Sequence, residues 1–215
     1  MTLLRFSNHL HLAMLAAATL FLGACANETL ISNWTNPEYR PGTPMIKTAV
    51  IVLTKDENMR SFAESQMIQN LPKGTVAVAG HTMFKNPEED KEVVRAKLIQ
   101  DGFDSVLVSR LISVDKTQTY VPPQTYASPN YGYSNYYGGA YGGGGYYNTT
   151  TPGYTVENTL VVVETLLYRL PDAMLVWSGT SQSFNPMSKG DMVKGISQLI
   201  GDQMQRKHLL GTSGK

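Results

Sequence analysis

The chain's only cysteine, Cys25, limits the fold more than any other single feature. It closes an N-terminal segment in which one basic residue, Arg5, precedes the apolar run 13–22. This order of basic, apolar and small residues is typical of a secretory signal, so the sequence predicts a signal peptide over residues 1–24. An apolar run of about ten residues is too short to span roughly 30 Å of hydrocarbon. Because Cys25 is the only cysteine, the chain cannot form an internal disulfide, and the hydrophobic core alone must stabilise the fold.

The residues around this cysteine resemble the lipobox of bacterial lipoproteins. They are Leu22, Gly23, Ala24 and Cys25. The resemblance implies a diacylglyceryl group on the Cys25 thiol, cleavage before that residue and an N-acyl chain, and two or three acyl chains hold a protein permanently on a membrane. Ala26 follows in place of an aspartate, which by the same resemblance implies the outer membrane, facing the periplasm. Ordinary secretion is the alternative, because residues 24–26 also fit a small-x-small cleavage site.

The mature chain is electrically neutral and long enough for one domain. The full sequence has 18 Lys and Arg against 17 Asp and Glu, and removal of the signal removes Arg5. No net field therefore favours nucleic acid as a partner. Residues 25–44 are polar, contain three prolines and show no sustained apolar period, which predicts a flexible tether before a single domain over 45–210. Trp34 in this tether is either a surface aromatic that covers a domain edge or a ligand contact.

The first half of the domain alternates between strand and helix patterns. Acidic and capping residues mark the helix starts, with Asp56 before the first helix and residues 86–90 opening the second. The predicted elements are a strand over 47–54 covered on both faces, a helix over 56–71, a strand over 75–79, a helix over 86–101 and a strand over 103–114. Buried positions are expected at Met59, Phe62, Ala63, Met67, Ile68, Leu71, Val106, Val108 and Leu111. This β-α-β-α-β order favours parallel pairing with right-handed crossovers.

The second half predicts a β-hairpin and a final helix. Strand patterns over 155–170 and 174–184 flank a turn at Pro171, and Trp177 is expected to lie against a helix. The last helix is predicted over 188–208, with a buried side formed by Met192, Ile196, Leu199, Ile200 and Met204. The fold class is therefore α/β, with a mixed sheet in two or three layers.

A tract without any charged residue, 117–156, interrupts this pattern. Tyrosine and glycine dominate it, and an unstructured connection of this length is usually functional or disordered. We interpret it as a mobile, low-complexity insertion between two strands. Tyrosine rings offer large amphipathic contacts and glycine lets the backbone adapt, so the tract is also a candidate binding loop for sugars, peptides or a protein. The tyrosines concerned are Tyr131, Tyr133, Tyr136, Tyr137, Tyr141, Tyr146 and Tyr147. A solvated loop without a ligand is the alternative.

The sequence predicts no catalytic residue, no metal site and no cofactor other than the covalent lipid. The glycine run 142–145 is not followed by the Lys and Ser or Thr of a phosphate-binding loop. His81, expected at a strand end or in a loop, and His208 stand far from any second His or Cys. Asp101 and Asp104 form a carboxylate pair, but such pairs commonly cap helix-to-strand turns. A periplasmic hydrolase remains the enzymatic alternative.

The mature chain also resembles a group of small bacterial lipoproteins of uncharacterised function. The matching residues are the lipobox, Trp34, Pro37 and the ranges 50–60, 101–104, 106–110 and 175–179. The resemblance implies a compact α/β periplasmic domain and no catalytic residue. The hypothesis is a non-enzymatic, lipid-anchored envelope protein that binds an envelope protein or glycan. The alternative is a subunit of an oligomeric envelope assembly or secretion factor, joined through the exposed edge of the hairpin 155–184.

Overall fold

The computed structural model of the protein describes residues 28–40, 45–86, 90–129, 146–170 and 172–211. The predictions for the signal peptide, for the lipobox with Cys25 and for Tyr131, Tyr133, Tyr136, Tyr137 and Tyr141 lie outside these residues. Within them, no helix has the length and hydropathy needed to cross a bilayer.

The described chain forms a mixed α/β fold around one six-stranded sheet. Strands lie in the order β1-β8-β7-β4-β2-β3; β2 pairs in parallel with β3 and β4, and the other pairs are antiparallel. A separate hairpin consists of β5 and β6. The elements are β1 (Glu28–Thr35), β2 (Lys47–Leu53), α1 (Glu57–Asn70), β3 (Val76–Ala79), α2 (Lys91–Gln100), β4 (Ser105–Val121), β5 (Gln124–Pro129), β6 (Tyr146–Thr151), β7 (Tyr154–Arg169), β8 (Met174–Phe184) and α3 (Lys189–Arg206). The predicted fold class is confirmed.

Strand β2 lies inside the sheet and is covered on both faces, as its continuous apolar sequence predicts. Val50 belongs to a core cluster that includes side chains of α1 and α3. Ala49 and Ile51 belong to a second cluster that includes Leu98 of α2. The helices therefore cover opposite faces, and the domain has three layers. Trp177 is fully buried in the first cluster beside α3 residues, which confirms its predicted position.

The helix starts follow their capping residues. The Asp56 side chain accepts the N–H groups of Asn58 and Met59 at the start of α1, as predicted. The second helix starts later than the predicted residue 86, because Asp90 is its N-cap and α2 begins at Lys91. The side chain of the N-cap residue accepts N–H groups of the first turn, which have no acceptor within the helix. Gly102, at a φ of 74°, follows the end of α2.

The prediction of a flexible tether over 25–44 is wrong for Glu28–Thr35, which form the edge strand β1. This strand pairs antiparallel with β8, from Glu28 opposite Ser183 to Thr35 opposite Trp177. Its side chains are exposed or half-buried. Main-chain hydrogen bonds to β8 therefore hold this strand in the sheet, and its sequence shows no apolar alternation. Trp34 lies on this strand as a surface aromatic, 45% exposed.

The prediction of an unstructured insertion over 117–156 is wrong for its two ends. Strand β4 continues to Val121 and pairs with β7 along its whole length. The pairing of β4 with β2 ends at Arg110, and the pairing of β7 with β8 begins at Leu160. Residues 117–121 and 154–158 pair with each other beyond both of these ends and form a two-stranded ribbon, which we call the arm. Leu111, predicted to be buried, is 56% exposed because it lies just past the end of β2.

The proposed free edge of the hairpin 155–184 is also corrected. Strand β7 lies between β4 and β8, and β1 covers the other edge of β8. Within the sheet, β4 and β1 therefore occupy the two outer edges of this hairpin. The edge strands of the six-stranded sheet are β1 and β3.

Candidate binding groove

An apolar groove of about 500 Å³ opens where α1 and α3 begin on one face of the sheet. The two helices run side by side in the same direction, since Phe62 near the start of α1 approaches Gly190, and Asn70 at its end approaches Gly201. Side chains from Met59 to Met67 of the first helix and from Met192 to Ser197 of the second form the two walls. Volumes of 300 to 1,000 Å³ are typical of sites that bind small molecules.

The floor of the groove comes from the part of β4 and β7 that lies between the helix starts and the arm. It consists of Ser109, Leu111, Val114 and Lys116 from β4, with Thr159, Val161 and Val163 from β7. The walls include Met59, Ala63 and Met67 of α1 and Met192, Val193, Ile196 and Ser197 of α3. Methionine side chains are flexible and polarisable, so this lining can adapt to an irregular apolar ligand.

A β-bulge keeps the floor apolar. The pairing of β4 with β7 shifts between Leu111, opposite Val163, and Ser113, opposite Val162. The extra residue moves Val114, opposite Val161, onto the groove face. In a regular strand the alternation of side chains would place Ser113 there instead.

The polar groups of the groove are few and mostly satisfied. Ser109 Oγ lies 2.9 Å from Thr165 Oγ1 and 3.5 Å from Met67 Sδ. Two cations at the mouth are paired, Arg110 with Glu164 at 2.7 Å and Lys116 with Glu157 at 3.1 Å. The buried hydroxyl of Ser197 has no hydrogen-bond partner among the described residues.

A buried charge cluster lies close to the groove and was missed by the sequence analysis. Glu64 of α1 has no exposed surface, and its carboxylate accepts the N–H of Val52, the Nε–H of Arg60 and the N–H of His81. His81 Nδ1 lies 2.7 Å from the same carboxylate. Arg60 is also buried and donates to the carbonyl of Lys85. The i, i+4 spacing of Arg60 and Glu64 beside the predicted core position Ala63 is the signal that could have revealed this pair.

The cluster joins α1 to the ends of two parallel strands. Val52 lies near the end of β2, and His81 lies in the 3₁₀ turn Gly80–Thr82 that follows β3. His81 is therefore a strand-end histidine, as predicted. In the described ranges, no group of three or more His, Cys, Asp and Glu side chains is arranged to hold a metal ion.

The two carboxylates singled out in the sequence make separate structural contacts. Asp104 accepts the main-chain N–H groups of Ile46 and Lys47 and the hydroxyl of Ser105. Asp101 pairs with Lys97 at 3.0 Å on the surface. Asp104 therefore ties the start of β4 to the start of β2, and Asp101 contacts the last turn of α2.

Two of the candidate tyrosines fall within the described residues. Tyr146 and Tyr147 lie in β6, opposite Pro129 and Ser128. The groove itself was not found in the sequence, because its lining residues come from several separate segments.

Comparison with known proteins gives distant structural similarity only. No family model and no curated protein matches this sequence. The PelC dodecamer from Paraburkholderia phytofirmans is 11% identical with a TM-score of 0.41, over 86% of this chain and 99% of that chain. The lipoprotein GNA1162 from Neisseria meningitidis is 14% identical with a TM-score of 0.38, over 75% of this chain and 99% of that chain. A PDZ domain protein from Parabacteroides distasonis is 8% identical with a TM-score of 0.36, over 84% of this chain and 36% of that chain. At TM-scores below 0.5, these similarities carry no argument about function.

Proposed function

We propose that this protein is a non-enzymatic, lipid-anchored binding protein of the bacterial envelope, attached through Cys25 to the outer membrane and facing the periplasm. The groove is the observation that carries the binding role. Its apolar floor and walls, its paired rim charges and its volume of about 500 Å³ suit an elongated apolar or amphipathic ligand.

The chemistry of the groove supports binding rather than catalysis. Its lining has one carboxylate, Asp56, and that side chain caps α1. Acid–base catalysis requires several polar groups that converge on one reacting atom. The apolar lining instead favours a ligand through the removal of apolar surface from water.

A titration with the apolar fluorophore N-phenyl-1-naphthylamine tests the groove. We expect saturable binding to the full Cys25→Ala chain and competition by palmitate. Leu111→Glu with Val114→Glu places two carboxylates at half-exposed floor positions, so the fold is retained while affinity falls at least about tenfold, a loss of about 1.4 kcal/mol or more. The control is Ile99→Glu, at an exposed apolar position of α2 on the other face. Equal affinities in all three chains would refute a binding role for the groove.

Cell fractionation tests the anchor. The Cys25→Ala chain lacks the acyl chains and is expected to leave the membrane fraction, because no helix of the described residues can replace them. Retention of this variant in the membrane would refute lipid anchoring.

A second candidate function, a subunit of an oligomeric assembly, is favoured by the arm. Past Arg110 and before Leu160 the outer edges of β4 and β7 have no partner strand in the described chain, so their main-chain groups can pair with a neighbouring copy. We expect Thr119→Lys, in the arm, to reduce the mass measured by light scattering, while Gln69→Lys on the exposed face of α1 does not. A monomer at high concentration in the unmodified chain would exclude this candidate.

A further inference from the structure

The first described residue lies beside the wall of the groove. Glu28 is paired with Ser183 at the end of β8 and accepts its hydroxyl at 2.8 Å. The Glu28 side chain also lies against Gly195 of α3, so closely that a Cβ at that position would overlap it. Met192 and Ile196 on the same turns of α3 line the groove. One short stretch of helix therefore contacts both the start of β1 and the groove.

The proposed lipid on Cys25 is within reach of this groove. Cys25 is three residues before Glu28, and three residues span at most about 11 Å. An acyl chain adds about 15 Å, half of the roughly 30 Å hydrocarbon core that two such chains fill. Because a helix with its side chains is about 10 to 12 Å wide, this combined length is enough to pass the first turn of α3.

One exposed apolar side chain lies on the short connection between the two places. Met187 is 87% exposed. It stands between Pro186 and Ser188, which line the groove, whereas Phe184 pairs with Leu160 on the other face of the sheet. An acyl chain that passes Met187 on its way into the groove would remove this side chain from water.

We infer that one acyl chain of lipidated Cys25 folds back past Met187 and occupies the groove. This inference rests on the proposed lipid anchor and identifies the groove ligand as an acyl chain. Outside a membrane, each methylene that enters the groove leaves water, so the occupied form is favoured. Within a bilayer, the hydrocarbon core competes with the groove for the same chain.

Photo-crosslinking through the lipid tests this inference on the full chain. Cells are fed a fatty acid that carries a diazirine and a terminal alkyne, and the lipidated protein is purified, removed from detergent and irradiated. We expect Cys25 peptides joined to peptides from 184–197 or 159–163. Mixing chains of normal and heavy nitrogen before irradiation separates adducts within one chain from adducts between copies.

Each outcome has a distinct meaning. Adducts within one chain at the groove, reduced at least about fivefold by Leu111→Glu with Val114→Glu and unchanged by Ile99→Glu, support the inference. Label on Cys25 without groove adducts, or with adducts between copies only, overturns it. If the fluorophore still binds the Cys25→Ala chain in that case, the groove remains a binding site and only its proposed occupant is wrong. Absence of label from Cys25 overturns the lipid anchor and this inference together.

Discussion

Replacement of Glu64 by alanine tests whether the buried charge cluster holds α1 on the sheet. Glu64 is fully buried and Arg60 is 2% exposed. Glu64→Ala removes the carboxylate that faces Arg60 Nε at 3.3 Å and leaves the guanidinium buried with its hydrogen bond to the Lys85 carbonyl. It also removes the acceptor of the Val52 and His81 N–H groups.

The expected loss follows from the uncompensated charge. Breaking a buried ion pair by removal of one partner costs about 3 to 5 kcal/mol. In a domain of 150 to 250 residues, about 1 kcal/mol lowers the melting temperature by about 2 to 4 °C, so we expect a decrease of about 6 to 20 °C. Arg60→Met combined with Glu64→Leu replaces both charges with apolar side chains and should recover most of this loss, because no buried charge remains.

Urea and thermal unfolding followed by circular dichroism measure these differences. Glu157→Ala is the matched control, since its ion pair with Lys116 is exposed and contributes less than about 1 kcal/mol. A loss of less than about 1 kcal/mol for Glu64→Ala would refute the reasoning. So would a double variant that is no more stable than Glu64→Ala alone.

Three further predictions concern packing, pH and the tyrosine-rich tract. Gly201→Ala should lower the free energy of unfolding by about 1 to 3 kcal/mol, because its Cβ would overlap the last carbonyl of α1. Gly190→Ala, whose Cβ would make ordinary van der Waals contacts with Ser188 and Phe62, should raise it by up to about 1 kcal/mol in the same urea titration. Tyr39→Phe should be neutral or stabilising by up to about 1 kcal/mol near pH 7, since the buried Tyr39 hydroxyl has no hydrogen-bond partner among the described residues. Because burial raises the pKa of the Tyr39 phenol, the wild type should also lose stability relative to this variant as the pH rises through 10; a constant difference across pH 8 to 11 would contradict this. A photoreactive residue at Tyr137 in intact cells should give a discrete adduct that the same probe at Ile99 does not give, and identical adducts would favour a loop without a ligand.

The parts of the fold that could be predicted from the sequence are those with a local physical cause. Strand β2 is apolar on both faces because both faces are covered, and this shows as an uninterrupted apolar run. The starts of helices α1 and α3 are indicated by their N-cap residues Asp56 and Ser188, whose side chains accept N–H groups of the first turn. These signals depend only on neighbouring residues, so they survive without knowledge of tertiary contacts.

The strands that were missed depend on partners distant in the sequence. Strand β1 is fixed by β8, more than 140 residues later, and the arm is fixed by the pairing of β4 with β7 across the tyrosine-rich tract. Both are largely exposed, so neither has the apolar alternation from which strands are recognised. Main-chain hydrogen bonds do not depend on side-chain identity, and the sequence therefore contains little trace of them.

The lining of the groove comes both from helices with local sequence signals and from strands paired with distant partners. Its position also has a functional consequence. Its floor continues directly into the arm, and its wall contacts Glu28, the first described residue after the proposed lipidation site. The start of β1, the groove and the arm therefore lie at the same end of the sheet. Under the proposed lipidation, only two residues would separate Cys25 from β1, so this end would stay close to the membrane surface. A partner that pairs with the arm would then meet the protein near the bilayer, and the opposite end of the domain, where Gly211 donates to the Met45 carbonyl, would face away from it.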